Sequence, residues 1–299
     1  MVSLLAASGA GGMKRNSTIA ACLMRTSDLL VPITDTPRFE AELLLAYTLG
    51  LSRAALLARL SEPVDMSCIE PLLARRLNHE PLAYIFGEWE FFGLPFFVEP
   101  PLLVPRPETE HLVETALKFV AAYAPALNSP CHIADICCGT GCVAIVLGHY
   151  LKGHHLYACD IRADAVAMTQ RNAVRHHVPL HTVQGNLLDP FNALGDSFDV
   201  IISNPPYVPE GEWDDLSPVI TKHEDPKALL AGSDGLDLIR HIIPEAWRRL
   251  RNGGLLALEL GEGQGAAVAE LLRKEGFDSI EMIRDLAGIE RIISAVRNE

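Results

Sequence analysis

The stretch His132-Ile133-Ala134-Asp135-Ile136-Cys137-Cys138-Gly139-Thr140-Gly141-Cys142-Val143-Ala144 decides the fold. Its first five residues read as a strand, and its glycines interrupt the chain before a helical pattern over 143–151. Glycine lets backbone come close to a ligand, and a helix start presents free N–H groups. The rhythm continues downstream. Residues 156–160 read as a strand, 163–176 as a helix, 178–184 and 198–203 as strands, 236–250 as a helix and 255–260 as a strand. Segments 266–275, 279–284 and 291–296 close the chain. Strands alternating with helices predict an α/β fold with a doubly wound, mostly parallel, Rossmann-like sheet.

Upstream the pattern is different. Thr36-Pro37 reads as a helix start, with a hydroxyl N-cap and then proline at the first helical position. Segments 39–49, 53–60 and 67–77 carry apolar residues at helical spacing, which predicts a small helical domain over 31–83. Residues 84–98 hold Trp89, Phe91, Phe92, Phe96 and Phe97, punctuated by Gly87 and Gly93. This predicts a β-hairpin, placed in a connector over 84–104 that packs the helical bundle against a domain spanning 105–299. Residues 1–30 are expected to be a flexible tail. The first 27 residues lack acids and carry Lys14, Arg15 and Arg25, as a transit peptide would, and Met13 is a second candidate start.

Composition narrows the function classes. With 49% hydrophobic and 21% charged residues, the 299-residue chain is expected to build a packed core. Its net charge of −13 comes with no basic stripe of the kind that displaces counterions from duplex phosphates. An acidic surface suits a basic protein partner. No apolar run reaches the roughly 18 residues of a membrane span. The seven cysteines are odd in number, and several lie in apolar runs, which fits free thiols in a reducing cytoplasm. Cys137, Cys138 and Cys142 lack the second pair or histidine of a zinc site, so no metal is expected.

Two ligands compete for the glycine loop. Asp160 ends the second strand, 19 residues beyond Gly141, where a carboxylate can accept both ribose hydroxyls. The run Gly139 to Ala144 also fits a dinucleotide fingerprint. Asp135 separates the two: a carboxylate just before the loop suits the ammonium of a methionine moiety and repels a pyrophosphate. S-adenosylmethionine is therefore favoured over NAD. The expected binding set is Asp135, Cys137, Cys138, Gly139, Thr140, Gly141 and Asp160. After the third strand, Asn186 and Leu187 either hold the adenine ring or form a plain turn.

The strand over 198–203 runs into Asn204-Pro205-Pro206-Tyr207. Ligands of open α/β sheets bind outside the carboxyl ends of strands, so this corner should face the donor. The Asn204 side-chain carbonyl and the Pro205 backbone carbonyl can each accept one hydrogen of a planar NH2. Neither proline offers a competing N–H, and Tyr207 can lie against the group. This predicts methyl transfer onto nitrogen, with Asn204, Pro205, Pro206 and Tyr207 as the catalytic residues and Asn204 also at the donor.

These residues resemble class I methyltransferases acting on nitrogen. Further segments resemble the release factor glutamine methyltransferases (PrmC, also called HemK): residues 39–44, Arg75-Arg76, residues 80–85, Pro105 to Glu110, Glu224-Asp225-Pro226, and Arg284-Asp285 to Arg291. The resemblance runs from about residue 35 to the end of the chain. It implies methylation of the glutamine side-chain nitrogen (N5) in the Gly-Gly-Gln motif of peptide chain release factors, in translation termination, with S-adenosylhomocysteine as co-product. It also implies a helical domain that grips the release factor. The family commonly has glycine where Cys137 stands, aspartate in place of Asn186, and in some members an aromatic at Leu187. Three rival readings are a ribosomal-protein glutamine methyltransferase, a nucleic-acid adenine or cytosine N-methyltransferase, and a non-catalytic nucleoside-binding protein. A monomer is the expected state.

Overall fold

A computed structural model describes residues 17–127, 129–194 and 198–298, and the chain divides into two compact units between Phe86 and Gly87. The first is helical: α1 (Ile19–Leu30), α2 (Pro37–Leu49), α3 (Arg53–Leu57), α4 (Glu70–Leu77) and α5 (Leu82–Phe86), with a two-residue pairing of β1 (Ser17–Thr18) and β2 (Pro63–Val64). The expected tail over residues 1–30 is corrected by α1. Its Ile19, Cys22, Leu23, Thr26 and Leu30 are buried, and they recur at the spacing of one helical face. The Thr18 side chain caps this helix by accepting from Ala21 N at 3.3 Å. The suggested leader and the alternative start at Met13 lie outside the described residues. Leu44, Leu45 and Leu56 are fully buried in this unit. Arg76 reaches Glu40 through two bonds of 2.6 and 3.0 Å in the same interior.

The second unit opens with the hairpin β3 (Glu88–Phe91) and β4 (Leu94–Phe97) and continues through α6 (Glu110–Leu127), β5 (His132–Ile136) and α7 (Cys142–Tyr150). Then follow β6 (His155–Asp160), α8 (Ala163–Arg175), β7 (His181–Gln184), β8 (Phe198–Ser203), a short α9 (Pro218–Thr221), α10 (Asp237–Arg249) and β9 (Leu250–Glu259). The chain closes with α11 (Gly265–Glu275), β10 (Phe277–Arg284) and β11 (Glu290–Arg297). Seven strands form one sheet in the order β10-β11-β9-β8-β5-β6-β7. The neighbours β9-β8-β5-β6-β7 are parallel, and β11 is antiparallel to both β9 and β10. The predicted doubly wound α/β sheet is the observed one.

The hairpin folds with the sheet rather than standing as a separate connector. Phe91 and Phe96 are buried in the same cluster as Leu112 and Val113 of α6 and Val143 and Val146 of α7. Tyr84 and Ile85, expected in the connector, are instead buried in α5 of the helical unit.

Strand order locates the ligand site. From β5 the chain steps outward through β6 and β7, then returns to the other side of β5 as β8. Carboxyl ends diverge at such a switch point and leave a crevice. Register shows which residues border it: Ile136 pairs with Cys159 and with Ser203, and Ser203 pairs with Leu258. Cys137, Asp160, Asn204 and Glu259 are therefore neighbours at the strand ends. All seven cysteines are free. No described helix is long and apolar enough to cross a membrane. No group of three or more potential metal ligands is assembled among the described residues.

Candidate active site

Two cavities meet at the switch point. One, of about 290 Å³, is walled by Cys137, Gly139, Asp160, Asn186, Leu187, Asn204 and Pro206, with apolar cover from Leu102, Leu103 and Ile161. The other, of about 350 Å³, is walled by Asn204, Pro205, Pro206 and Tyr207 together with Arg106, Glu108, Glu259 and Arg291. Asn204 and Pro206 belong to both walls.

In the first cavity Asp160, at the end of β6, is hydrogen-bonded to the glycine loop. One carboxylate oxygen accepts from Gly139 N at 2.9 Å and the other from Arg162 N at 3.0 Å. These bonds fix the carboxylate while leaving further lone pairs for a ligand, and two hydroxyls are a natural match. Burial raises the Asp160 carboxyl above its usual range, against those two backbone bonds. Gly141 has φ +78°, and a Cβ there would lie 2.7 Å from the Thr169 side chain. Only glycine fits both constraints.

Not every residue expected at the donor lies in this wall. Cys137, Gly139, Asp160, Asn186, Leu187 and Asn204 do; Asp135, Cys138, Thr140 and Gly141 do not. Asp135 is 2% exposed, and its carboxylate accepts from Ala144 N at 3.1 Å. It sits under the start of α7, whose first N–H groups have no acceptor within the helix. Burial pushes its carboxyl up to about 8. The ammonium-holding role read from its position thus gives way to support of the loop from beneath. Cys138 lies against the Thr169 hydroxyl at 3.4 Å, and the Thr140 carbonyl accepts from Asn172 at 2.9 Å.

In the second cavity, Asn204 Nδ2 donates to Thr109 Oγ1 at 3.2 Å. Among the described residues neither Asn204 Oδ1 nor the Pro205 carbonyl has a hydrogen-bond partner. The corner therefore offers two acceptors without a partner, and neither proline brings an N–H of its own. The Tyr207 hydroxyl donates to Glu259 Oε1 at 3.2 Å, and its backbone carbonyl accepts from Gln264 at 2.8 Å. Tyr207 is held upright at both ends, and burial raises its phenol far above the ordinary value. Arg106 grips both oxygens of the buried Glu224 at 2.7 and 2.8 Å, joining the Pro105–Pro107 segment to the loop before Pro226.

Thr109, Glu108, Glu259 and Arg291 gained no role of their own from the residues alone. Glu259 carried the clearest signal: a lone carboxylate closing an apolar strand, next to the strand that ends in Asn204.

Comparison with known proteins narrows the family. A family model described as the PrmC N-terminal domain matches residues 21–87, and one described as a methyltransferase small domain matches residues 119–219. The release factor glutamine methyltransferase of Geobacter sulfurreducens is 39% identical over 263 residues, covering 87% of this chain and 89% of the relative. That of Nitratidesulfovibrio vulgaris is 40% identical over 271 residues, covering 88% and 90%. The solved catalytic domain of human Mettl16 shares the fold at a TM-score of 0.56 and 17% identity, over 76% of this chain and 82% of that one. A sheet with its crevice at the β5–β8 switch point and near-full-length relatives of one name lead to one assignment: the chain belongs to the release factor glutamine methyltransferases.

Proposed function

We propose that the protein methylates the side-chain nitrogen (N5) of the glutamine in the Gly-Gly-Gln motif of peptide chain release factors, with S-adenosylmethionine as donor. The observation that carries this reading is the shared wall: Asn204 and Pro206 border both the cavity holding Asp160 and the cavity bounded by Tyr207 and Glu259. A group gripped by Asn204 from one side faces whatever fills the other.

The donor's fit rests on the chemistry of the first cavity. Asp160 would take the ribose hydroxyls, Asn186 and Leu187 the adenine, and the apolar cover of Leu102, Leu103 and Ile161 the remaining surface. When bound, S-adenosylmethionine supplies a methyl group made electrophilic by its sulfonium. The chain's own contribution is positional. Asn204 Oδ1 and the Pro205 carbonyl accept the two carboxamide hydrogens and fix the plane of the group, with Tyr207 against its face. Alignment of this kind is worth roughly 7–11 kcal/mol of barrier. The nitrogen becomes acidic on methylation, so its proton can leave to water without a strong base. The helical unit of residues 17–86 grips the release factor, and the reducing cytoplasm keeps the thiols free.

The test supplies labelled donor with a release factor, the same factor carrying alanine for the motif glutamine, a ribosomal protein, and nucleic acid. Label confined to the release factor and lost with the glutamine is the expected result. Label on the ribosomal protein or nucleic acid alone overturns the reading. Asn204→Ala should lower turnover on the order of a hundred-fold or more while donor binding, measured by calorimetry, persists. Unchanged turnover would show that Asn204 does not position the carboxamide.

A further inference from the structure

We propose that residues Glu224 to Leu229 form a stiff strap that holds the donor wall and the carboxamide corner in register, with the Arg162–Asp225 ion pair as its positioning contact. The inference rests on the roles proposed for the two cavities. Lys227 borders the donor cavity, Leu229 the carboxamide cavity, and Ala228 between them borders both. The strap thus steps from one site to the other within three residues. Its two neighbouring acids are tied to opposite walls. Glu224, buried, accepts from Arg106 of the carboxamide wall at 2.7 and 2.8 Å. Asp225 pairs with Arg162 of the donor wall. Its backbone N–H donates at 3.1 Å to the carbonyl of Pro101, in that same wall.

The strap has few ways to bend. Asp225 Oδ1 accepts from Lys227 N at 3.0 Å and so caps the 3₁₀ turn Pro226–Ala228. Pro226 fixes its own φ. Beyond the turn, the Leu229 carbonyl accepts from Val208 N at 2.8 Å, and the Val208 carbonyl accepts from Ala231 N at 3.0 Å. Val208 directly follows Asn204-Pro205-Pro206-Tyr207. A continuous series of contacts therefore runs from Arg162 through Asp225 and the turn to the corner that takes the carboxamide. Freed at Asp225, the strap would open the donor cavity at Lys227 and Ala228 and move the support of Val208. The Arg162 and Asp225 side chains are 27% and 17% exposed, so salt screens the pair only in part. Arg162 also pairs with Asp164 at 2.5 Å, so loss of the Asp225 charge does not strand the guanidinium.

The experiment compares the full-length enzyme with Arg162→Gln, Asp225→Asn and the double variant. Asp225→Asn keeps the side-chain carbonyl that caps the turn and removes only the charge. Calorimetry gives the Kd of S-adenosylhomocysteine, kinetics give the KM for release factor at saturating donor, and melting temperature is followed in parallel. Each single variant should raise both constants by about three- to ten-fold, with kcat changing less than either. The double variant should be no worse than the more severe single one, because both remove the same pair. The Val208 amide should exchange hydrogen faster in Asp225→Asn than in the wild type. Wild-type constants or an unaltered Val208 amide overturn the proposal. So does a donor constant that rises while the KM for release factor holds, which would reduce Arg162 to a local donor contact. Effects that multiply in the double variant, or losses that merely track melting, overturn it as well. A wild-type enzyme that binds no S-adenosylhomocysteine or leaves release factor unmethylated overturns the functional reading itself, an outcome visible before any variant is compared.

Discussion

Cys137 and Leu187 face the same cavity with φ of +60° and +47°. The left-handed region costs a residue with a Cβ roughly 1–2 kcal/mol relative to its usual conformation. The positive φ at Cys137 is the backbone conformation that favours glycine. Cys137→Gly should release that strain, while the added freedom of glycine in the unfolded chain takes back roughly 0.5–1 kcal/mol. A net gain of about 0–1.5 kcal/mol is expected from these two terms, read as a higher denaturant midpoint at unchanged slope. A lower midpoint would mean that the thiol's packing outweighs the strain. Single residues also show where sequence reading stops. Cys137, Asp160 and Asn204 were legible because each stands at the carboxyl end of a strand, and strand ends border the crevice. Thr109 and Glu259 were not, because their link to the corner is purely spatial: Thr109 meets a residue 95 positions away, and Glu259 one 52 positions away. Asp135 was placed on the wrong side of the loop because both faces of β5 are buried, so alternation along the strand does not tell ligand side from helix side.

The hairpin and α8 show how an element is held beside a site it does not line. Asn172 lies wholly buried within α8, in a helix read from its periodicity alone. Its Oδ1 accepts from Phe97 N at 2.8 Å, and its Nδ2 donates to the Phe97 carbonyl at 3.1 Å and the Thr140 carbonyl at 2.9 Å. One side chain thus stitches β4 to the glycine loop. Around it Arg175 covers the Phe97 ring at 4.3 Å and pairs with Glu88 at 2.8 Å. Asn172→Ala would leave backbone groups on both segments unsatisfied, at roughly 1–3 kcal/mol for each group that water does not reach. A loss of about 2–4 kcal/mol is expected, with faster hydrogen exchange at the Phe97 amide than elsewhere in the hairpin. A loss below about 1 kcal/mol with unaltered exchange would show that the stitch is dispensable. Hairpin and helix were both foreseen from aromatic and apolar spacing. The bond between them was not, because a mid-helix asparagine reads as a surface residue until its surroundings are known.

At the scale of the whole molecule, two compact units divide the work if the helical one serves recognition and the sheet serves chemistry. The two cavities at the switch point are lined entirely by residues beyond Phe86. Loss of order in the helical unit should therefore spare donor binding and the chemical step while weakening capture of a full-length protein substrate. Arg76 offers the lever. Its side chain is 5% exposed and bridges to Glu40, which is 12% exposed, tying α4 to α2. Removing one partner of a buried ion pair strands the other charge and costs roughly 3–5 kcal/mol, a large part of a small unit's total stability. Arg76→Met should produce an early melting transition assigned to this unit by its separate response to denaturant. Donor affinity should stay within about two-fold of wild type. On full-length release factor kcat/KM should fall at least about ten-fold, mainly through KM, whereas a short peptide containing Gly-Gly-Gln should be methylated at the wild-type rate. Equal losses on peptide and full-length factor would mean that the helical unit supports the catalytic sheet rather than the grip on substrate, and the division of labour would have to be abandoned.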